Sequence, residues 1–295
     1  MTKCGYVMMF GLPNAGKSTL VNRLLDFNLS VVNRKAQTTR NKILGVLNEG
    51  DAQVIFLDTP GYIEKPEYEL QTYMVNEIKT SFDEADLVIH IIDITKFSID
   101  VFKKYIEGVK DFLIGKNQII VINKIDLAEK KDVADAILSL DNEFKGTDII
   151  PVSAYKSENL DELKKIIAEN IPEAPKFYDE DYLTNKPEKF FVSEIIRGCV
   201  LDRFHKEVPY SVFINIAEFS EREGRKDYIN AEIIVERESQ KVIIIGKGGA
   251  SLKKLGSDAR KKIERFLERP VYLELFVKVK KDWRKDKSFL KNTYR

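Results

Sequence analysis

The chain has 295 residues but few cysteines, histidines or tryptophans. It holds two cysteines, Cys4 and Cys199, which lie far apart, together with two histidines and one tryptophan. Two isolated thiols do not make a disulfide framework, and no Cys-x-x-Cys pair offers a metal site. The sequence therefore predicts a protein of a reducing compartment, and we expect it in the cytoplasm.

Long apolar runs are also missing. The strongest apolar stretch, residues 87–92, is far shorter than the about 20 residues that a membrane-spanning helix needs. The N-terminal stretch MTKCGYVMMFG has one lysine and a very short apolar run, so we expect no signal peptide. Any membrane contact should therefore be peripheral, on the inner face of the cell membrane.

The charges of the whole chain nearly cancel, but they are unevenly placed. The formal net charge is +1, which by itself indicates no partner. From Gly246 to the end there are 16 Lys and Arg against 6 Asp and Glu, a net charge of +10. Such asymmetry favours contact with an anion, either nucleic acid or a membrane surface, and composition alone leaves a solvated basic face as an equal alternative.

The first part of the chain alternates short apolar runs with longer amphipathic stretches. The predicted strands are 6–10, 53–57, 87–92, 119–122 and 149–152, and the predicted helices are 17–26, 68–82, 101–112 and 160–170. Strands rich in Val, Ile, Leu and Phe that alternate with helices predict a doubly wound α/β domain with a mostly parallel sheet. Ligands of such domains bind beyond the C-terminal ends of the strands.

The pattern changes after a proline-punctuated polar stretch. We therefore predict a first domain over 1–171, a linker over 172–188 and a smaller α+β domain with a basic tail over 189–295. Within the second domain the pattern predicts helices at 190–203 and 251–267, strands at 211–219, 228–237 and 271–279, and a short apolar run at 241–245.

The first motif is a phosphate-binding loop, G-x-x-x-x-G-K-S, between a predicted strand and a predicted helix. Its small residues let backbone N–H groups wrap phosphates closely, and the helix N-terminus adds favourable partial charge. Lys17 should reach the β- and γ-phosphates, and Ser18 should be a ligand of Mg²⁺. The predicted nucleotide-binding residues of this loop are Gly11, Asn14, Ala15, Gly16, Lys17, Ser18 and Thr19.

The second motif, Asp58-Thr59-Pro60-Gly61, follows the strand QVIFL. We expect Asp58 to hold Mg²⁺ through water and Gly61 to place a backbone N–H near the γ-phosphate.

Between the two motifs lies Ala36-Gln37-Thr38-Thr39-Arg40, where one threonine should sense Mg²⁺ and the γ-phosphate. We favour Thr39 over Thr38. The candidate metal ligands are thus Ser18, Thr39 and Asp58, and the candidate catalytic residues are Lys17, Thr39 and Gly61.

The third motif, Asn123-Lys124-Ile125-Asp126, follows the strand QIIVI and indicates a guanine site. Guanine presents two adjacent N–H donors, and the Asp126 carboxylate offers two acceptors at matching spacing. Adenine would leave that carboxylate unpaired, which is a strong basis for rejection. Asn123 should brace the loop, and the Lys124 stem should cover the ring.

These motifs resemble those of the translation-factor-related GTPases, in particular the Era family. The similarity is carried by GLPNAGKSTLVNRLL, KAQTTR, DTPG and NKID in the first half, and by PYSV, EIIVER, IIGKGGASLKKLG and RPVYLELFVKVKKDWR in the second. It covers nearly the whole chain. It implies a Ras-like P-loop GTPase domain followed by a type II KH domain, and it makes Ser153-Ala154 the loop whose alanine N–H meets guanine O6.

Gly246-Lys247-Gly248-Gly249 followed by a helix resembles the G-x-x-G loop of a KH domain, which clamps four backbone nucleotides of single-stranded RNA. Glycines let the phosphodiester approach the backbone, and Lys247 adds charge. The predicted RNA-binding residues are Gly246, Lys247, Gly248, Gly249, Lys253 and Lys254. An ordinary strand–turn–helix connection and a second phosphate-binding loop are the alternatives.

The Era resemblance implies a GTP-hydrolysing factor that binds near the 3′ end of small-subunit ribosomal RNA while the pre-30S particle matures, with GTP favouring an RNA-competent state. We expect a monomer. Tyr62 stands where many GTPases have a water-orienting glutamine, so intrinsic hydrolysis should be slow. Asn14 matches a potassium-associated asparagine of related GTPases, which makes K⁺ a candidate cofactor beside Mg²⁺.

Two other functions stay open. One is a regulatory GTPase at the membrane whose basic tail binds anionic lipid. The other is an RNA-modifying or metabolic enzyme that merely uses GTP, which predicts a further catalytic cluster after residue 187, and the sequence has no grouping of His, Cys and Asp there.

The sequence also supports predictions for four other residues. We expect His90 in the core of its strand and His205 on the surface. Trp283 should anchor the C-terminal tail, with stacking on a base as the alternative. Arg40 is either a phosphate contact or a solvated charge.

Overall fold

The computed structural model describes residues 2–33, 35 and 38–294. Ala36 and Gln37 of the predicted sensing loop lie outside the described residues. The chain divides into two compact units, of which the first extends to Asn185 without Tyr68–Leu70, and the second joins Tyr68–Leu70 to the chain from Lys186 onward. Within the described ranges, no helix combines the length and the apolarity that crossing a membrane requires.

The first unit is built on a six-stranded sheet in the order β2-β3-β1-β4-β5-β6. Its strands are β1 (Lys3–Gly11), β2 (Ile43–Glu49), β3 (Ala52–Asp58), β4 (Leu87–Asp93), β5 (Asn117–Asn123) and β6 (Asp148–Pro151). Only β2 runs antiparallel to its neighbour, and the other pairings are parallel. This arrangement confirms the predicted doubly wound, mostly parallel α/β fold.

Helices connect most of the successive strands of this unit, and one more helix follows the last strand. They are α1 (Lys17–Leu25), α2 (Glu69–Glu84), α3 (Ile99–Glu107), α4 (Lys130–Glu143) and α5 (Leu160–Asn170). The sequence prediction missed β2 and α4. Gly45 interrupts the apolar run of β2, which ends in polar residues, while α4 buries only Ala136 and Leu140, so neither gives a strong apolar period. Helix α3 ends before the predicted residue 112, because Gly108 caps it.

The C-terminal ends of four neighbouring strands place the motif residues side by side. Gly11 ends β1, Asp58 ends β3, and Asn123 ends β5. Asp93, at the end of β4, lies opposite Asn123 in the register of the β4–β5 pair. Parallel strands end at the same edge of a sheet, so residues far apart in sequence meet there.

His90 confirms the expectation of a core residue. It is 1% exposed in β4, and its ring nitrogens lie 3.3 Å from the Tyr105 hydroxyl and 3.2 Å from Gln118 Oε1. Burial lowers the pKa of His90 to about 4, so the ring is neutral at physiological pH. His205 is exposed, as expected.

The second unit is an α+β fold around a three-stranded sheet in the order β7-β8-β9. Its elements are α6 (Glu188–Arg203), β7 (Phe213–Ser220), β8 (Asp227–Val235), α7 (Glu238–Ile245), α8 (Ala250–Leu267), β9 (Val271–Val279) and α9 (Lys287–Thr293). Strand β8 pairs antiparallel with β7 and parallel with β9. The apolar run at 241–245 belongs to a helix, α7, which begins where the Gln240 side chain accepts the N–H groups of Glu236 and Arg237.

The stretch predicted as a linker packs on the first unit over most of its length. We call residues 172–185 the strap. Cys4 donates its backbone N–H to the Pro172 carbonyl, and the Leu183 carbonyl accepts the N–H of Val46. The strap is therefore ordered by sheet contacts, although its proline-rich, polar sequence gives no period that would predict them. The exact domain boundaries stay a prediction.

Trp283 anchors the tail, as the sequence analysis favoured. It is fully buried, its Nε1 donates to the Ser211 carbonyl at 2.9 Å, and its ring packs against Phe213 and Phe289. The indole is not available to stack on a base, because no part of it is exposed.

We expect Trp283→Ala to lower the free energy of unfolding of the second unit by about 3–5 kcal/mol, because it leaves a cavity and a buried carbonyl without its donor. Urea unfolding followed by circular dichroism measures the loss. Tyr272→Ala is the control, since the Tyr272 side chain is 53% exposed, and it should cost less than about 1 kcal/mol. Equal losses in the two variants would contradict the anchoring role.

Candidate functional site

The phosphate-binding loop connects β1 to α1 and needs glycine at two positions for steric reasons. A Cβ on Gly11 would lie 2.5 Å from the Ile91 carbonyl oxygen. Gly16 has φ +99°, and a Cβ there would lie 2.2 Å from Asn123 Nδ2. The glycines of the motif therefore serve the packing of this loop against β4 and the guanine loop, as well as the approach of phosphate.

Lys17 is a buried cation at the start of α1, and Thr19 lies in the same first turn. The Lys17 side chain folds over the loop, and its Nζ donates to the carbonyls of Gly11 and Leu12, both at 3.1 Å. Burial lowers its pKa to about 8, while nearby Asp58 opposes that fall. A buried ammonium bonded only to neutral carbonyls gains much from an arriving phosphate, because it has little water to give up.

The three candidate metal ligands meet at Ser18. Its hydroxyl donates to Asp58 Oδ2 at 2.8 Å and lies 2.9 Å from Thr39 Oγ1. The Thr38 hydroxyl instead donates to the Lys35 carbonyl at 2.7 Å. The geometry therefore favours Thr39 over Thr38 as the sensing threonine.

Asp58 fits a hard divalent cation. Burial raises its pKa, against the opposing effects of the Ser30 and Ser18 hydroxyls and the Lys17 ammonium. Its other oxygen, Oδ1, is buried without a hydrogen-bond partner. The described residues contain no group of three or more His, Cys, Asp or Glu that could hold a metal. A hydroxyl–carboxylate set of this kind suits Mg²⁺, which prefers oxygen and takes further ligands from water and substrate phosphates.

Gly61 lies directly under the phosphate-binding loop. A Cβ there would lie 3.2 Å from Pro13 Cα, and the next N–H, that of Tyr62, donates to the Gly11 carbonyl at 3.1 Å. The Tyr62 ring packs edge-on against Phe10 and Tyr105. Tyr62 is therefore half-buried against the core, and it offers no amide that could orient a water molecule.

Arg40 is only 4% exposed, which excludes the solvated charge that the sequence analysis left open.

Asn123 joins three loops through one side-chain amide. Its Nδ2 donates to the Ala15 carbonyl at 2.9 Å, and its Oδ1 accepts the backbone N–H groups of Lys124 at 2.8 Å and Ala154 at 3.0 Å. The phosphate-binding loop, the N-K-x-D loop and the Ser153-Ala154 loop are thus held in one cluster. The Ala154 N–H is occupied by this bond, and its contact with a guanine oxygen stays a prediction.

Lys124 spans from the guanine loop to the phosphate loop. It has φ +68°, and its Nζ donates to the Asn14 carbonyl at 2.8 Å and to Asp93 Oδ2 at 2.6 Å. Burial opposes the ionisation of Asp93, but hydrogen bonds from Lys124 and Thr95 hold its pKa below the usual range. The sequence analysis missed Asp93. The signal was a carboxylate that ends an apolar strand beside the strand of Asn123.

Asp126 is oriented by a neighbouring loop. Its Oδ1 accepts a hydrogen bond from the Ser153 hydroxyl at 2.6 Å. Ser153 is itself fully buried and pairs with Glu158 through two backbone hydrogen bonds. Ser153 therefore sets the plane of the carboxylate that we predict to meet the base.

The predicted RNA loop lies between α7 and α8 and has an open, left-handed backbone. Gly246, Gly248 and Gly249 have φ of +71°, +58° and +77°. A Cβ on Gly246 would lie 2.6 Å from Ser251 Cβ, whereas Gly248 and Gly249 face open space. Lys247 is exposed at the tip of the loop. The loop therefore presents backbone and charge to any ligand without a side chain in the way.

Beside this loop, a groove of about 550 Å³ separates α8 from β9. Its cations are Lys226, Lys253 and Arg260, and its apolar residues include Leu252, Leu273 and Leu275. Lys254 is exposed but does not line the groove. The sequence analysis missed Arg260, which follows Lys253 by two helical turns and so shares its face, and Lys226, which comes from another segment.

Comparison with known proteins agrees with both halves of this description. The family model for the 50S ribosome-binding GTPases matches residues 6–124, and the KH-domain model matches residues 207–284. The GTPase Era of Clostridium kluyveri is 42% identical over 298 residues, which cover 99% of this chain and 98% of the relative. The chloroplastic GTPase ERA1 of Zea mays is 39% identical and is covered over 70% of its length.

Two solved structures resemble the whole chain, each with a TM-score of 0.92 and 40% sequence identity. One is Era in complex with MgGDPNP and nucleotides 1506–1542 of 16S ribosomal RNA. The match covers 99% of this chain and 98% of the Era chain. The other is a single-residue variant of Aquifex aeolicus Era bound to GDP and AlF4⁻, with 98% coverage of both chains.

Lys17→Met should abolish nucleotide binding and yet stabilise the protein without nucleotide. The fall in the Lys17 pKa from 10.5 to about 8 is a cost of folding that is fully present below pH 8. The variant should gain up to about 3 kcal/mol at pH 7, and the gain should shrink as the pH rises from 8 to 10.5, where the wild-type amine loses its proton. Unfolding at several pH values measures this. A variant less stable than wild type at pH 7 would contradict it.

Proposed function

The chain belongs to the Era family of GTPases, and from that premise we propose that it assists maturation of the small ribosomal subunit by binding the 3′ region of its RNA. It hydrolyses GTP to GDP and phosphate. The observation that carries the proposal is the presence, in one chain, of a guanine-nucleotide site and a cationic groove beside a G-x-x-G loop. A family relative of the same architecture binds both MgGDPNP and a fragment of 16S ribosomal RNA.

In the nucleotide site, we assign binding of Mg²⁺ to Ser18, Thr39 and Asp58. The bound ion would neutralise charge on the phosphate oxygens, which is the main electrostatic demand of phosphoryl transfer. Lys17 supplies a second positive charge, and the Gly61 backbone approaches the phosphate loop without a side chain to block it. These groups position and neutralise, and none forms a covalent bond to the substrate.

The Tyr62 ring packs against Phe10 and Tyr105 and carries no amide, so the side chain just after Gly61 is not suited to orient a water molecule. We therefore propose that intrinsic hydrolysis is slow. Such a rate suits a protein whose GTP-bound state must last long enough to act on RNA.

We assign guanine selection to Asp126, held by Ser153, and support of the base to Lys124, held by Asp93 and the Asn14 carbonyl. The same contacts tie the base loop to the phosphate loop, so correct seating of the guanine and of the phosphates depends on one framework.

For the second unit, we assign RNA backbone contact to Gly246, Lys247, Gly248 and Gly249. Lys253, Arg260 and Lys226 would add charge along the groove, and the apolar side would receive bases. Lys254 is exposed outside the groove and would contact RNA beyond it.

The groove favours RNA over a membrane, because a lipid headgroup requires no slot with an apolar wall. Peripheral membrane contact stays the alternative. We expect the protein to act in the cytoplasm as a monomer.

Asp126→Ala should erase base selectivity. Wild type should bind GTP more tightly than ITP by at least about tenfold, because inosine lacks the 2-amino donor and a hydrogen bond to a charged group contributes roughly 1.5–3 kcal/mol. It should bind ATP more weakly still. Equilibrium titration with the three nucleotides tests this, with exposed Asp135→Ala as the control. If wild type bound ATP as tightly as GTP, guanine selection by Asp126 would be excluded.

The paired variant Lys247→Asp/Gly248→Asp should lower affinity for the 16S fragment by at least about 100-fold, since it places two negative charges where phosphate would lie. GTP affinity should not change. Lys145→Asp/Gly146→Asp is the matched control, because it alters another exposed Lys-Gly turn whose glycine has φ +79° and open space around it. Unchanged RNA binding in the first variant would remove RNA from the proposal.

We also propose that K⁺ assists hydrolysis at Asn14, whose backbone has φ +66° and whose carbonyl is fixed by Lys124. Hydrolysis should be about tenfold faster in K⁺ than in Na⁺ buffer of equal ionic strength, the effect of roughly 1.4 kcal/mol in the barrier. Asn14→Ala should remove the difference. Equal wild-type rates in the two salts would exclude a potassium site.

A further inference from the structure

The strap is fixed to the first unit by one buried polar side chain. Gln53, the second residue of β3, is 0% exposed and lies among strands whose neighbouring side chains are mostly apolar. A buried amide destabilises a sheet unless its hydrogen bonds are satisfied. The contacts of Gln53 therefore indicate what it is there to hold.

Both ends of the Gln53 amide bind the strap backbone. Oε1 accepts the N–H of Phe177 at 2.8 Å and the N–H of Tyr178 at 3.0 Å, and Nε2 donates to the Tyr178 carbonyl at 2.8 Å. The remaining partners are its cross-strand neighbours: Nε2 also donates to Asn48 Oδ1 at 2.9 Å, and Oε1 also accepts from Cys4 Sγ at 3.6 Å. The Gln53 side chain thus satisfies backbone groups of the strap that would otherwise be paired by a neighbouring strand.

A second row of contacts ties the strap to β2. The Val46 N–H donates to the Leu183 carbonyl at 2.9 Å, and Asn48 Nδ2 donates to the Glu180 carbonyl at 3.1 Å. Tyr178 and Tyr182 stack with ring centroids 4.6 Å apart. The two rings pack on an apolar cluster of β1, β2 and β3, formed by Cys4, Leu44, Val46, Ile55 and Leu57.

The β2–β3 hairpin, which holds the strap, also adjoins two of the candidate metal ligands, Thr39 and Asp58. The β2–β3 hairpin begins at Ile43, shortly after Thr39, and ends at Asp58. Thr39 and Asp58 are both bonded to the Ser18 hydroxyl, so the open end of the hairpin is attached to the candidate magnesium site. Gln53 and Asn48 lie near its closed end, and the strap that they hold leads directly into the second unit at Lys186.

We propose that Gln53 is a positioning residue that makes the strap move with the β2–β3 hairpin, so that the occupant of the γ-phosphate site changes RNA affinity. This inference rests on the proposed function, because it requires that one chain bind both guanine nucleotide and RNA. A strap held only by its ends would absorb a shift of the hairpin. A strap bonded along both strands transmits that shift to the point where the second unit begins.

The test compares full-length wild type with Gln53→Leu, which keeps the volume of the side chain but removes all its hydrogen bonds to the strap. Gln118→Leu is the matched control, because Gln118 lies in the same sheet and its side chain contacts His90 rather than the strap. Affinity for nucleotides 1506–1542 of 16S ribosomal RNA is measured with GDP and with GDPNP. Hydrogen exchange of the Phe177 and Tyr178 amides reports on the strap itself.

We expect wild type and Gln118→Leu to differ in RNA affinity between the two nucleotides by at least about fivefold, the lower end of typical coupling. In Gln53→Leu the ratio should fall to within about twofold of unity, with GDP and GDPNP affinities unchanged and the two amides exchanging faster. A merely structural role would weaken RNA binding equally with both nucleotides and leave the ratio intact.

The outcomes separate the two claims. If wild type itself shows no nucleotide dependence, the expectation that GTP favours an RNA-competent state is wrong. If wild type shows it and Gln53→Leu retains it although the amides are deprotected, the coupling through Gln53 is wrong. If the amides stay protected in Gln53→Leu, the hydrogen bonds of Gln53 are not what orders the strap, and the inference is again overturned.

Discussion

The nucleotide site depends on the side-chain amide of Asn123. It is 2% exposed, and three loops that are far apart in sequence are bonded to it. A buried amide that lost these partners would leave several polar groups unsatisfied at once. The site is therefore cooperative: the phosphate loop, the guanine loop and the Ser153-Ala154 loop form one structure. The left-handed Gly16 is part of the same arrangement, because only a residue without a Cβ lets the amide reach Ala15.

Around this framework, the site contains buried ionisable side chains, whose burial in charged form opposes folding. Lys17 and Asp58 are both buried. Burial lowers the pKa of Lys17 and raises the pKa of Asp58, so it favours the neutral form of each. Such groups are preorganised for a ligand that supplies the missing countercharges, here phosphate and a divalent cation. Asp93 and Lys124 show the opposite solution, an ion pair that is already complete and serves to hold the guanine loop against Asn14.

Much of the fold and of the nucleotide site was predictable from sequence, for a physical reason. The strands β1, β3, β4 and β5 are buried on both faces, so they appear as continuous apolar runs, and each motif lies at the end of such a run. Helix α4 escaped prediction because it buries only Ala136 and Leu140, and strand β2 because Gly45 interrupts its short apolar run. In the second unit the glycine loop was evident, whereas Lys226 joins the groove from a loop that no local pattern connects to α8.

The sequence by itself determined the fold class, the order of the nucleotide motifs and the chemistry of each loop, since these depend on residue type and short-range spacing. Only the tertiary structure decided that Thr39 rather than Thr38 meets Ser18, that Asp93 braces Lys124, and that Gln53 holds the strap. Each of these depends on distances between segments that lie tens of residues apart. Such distances are set by how strands align in the sheet, and no local pattern encodes that alignment.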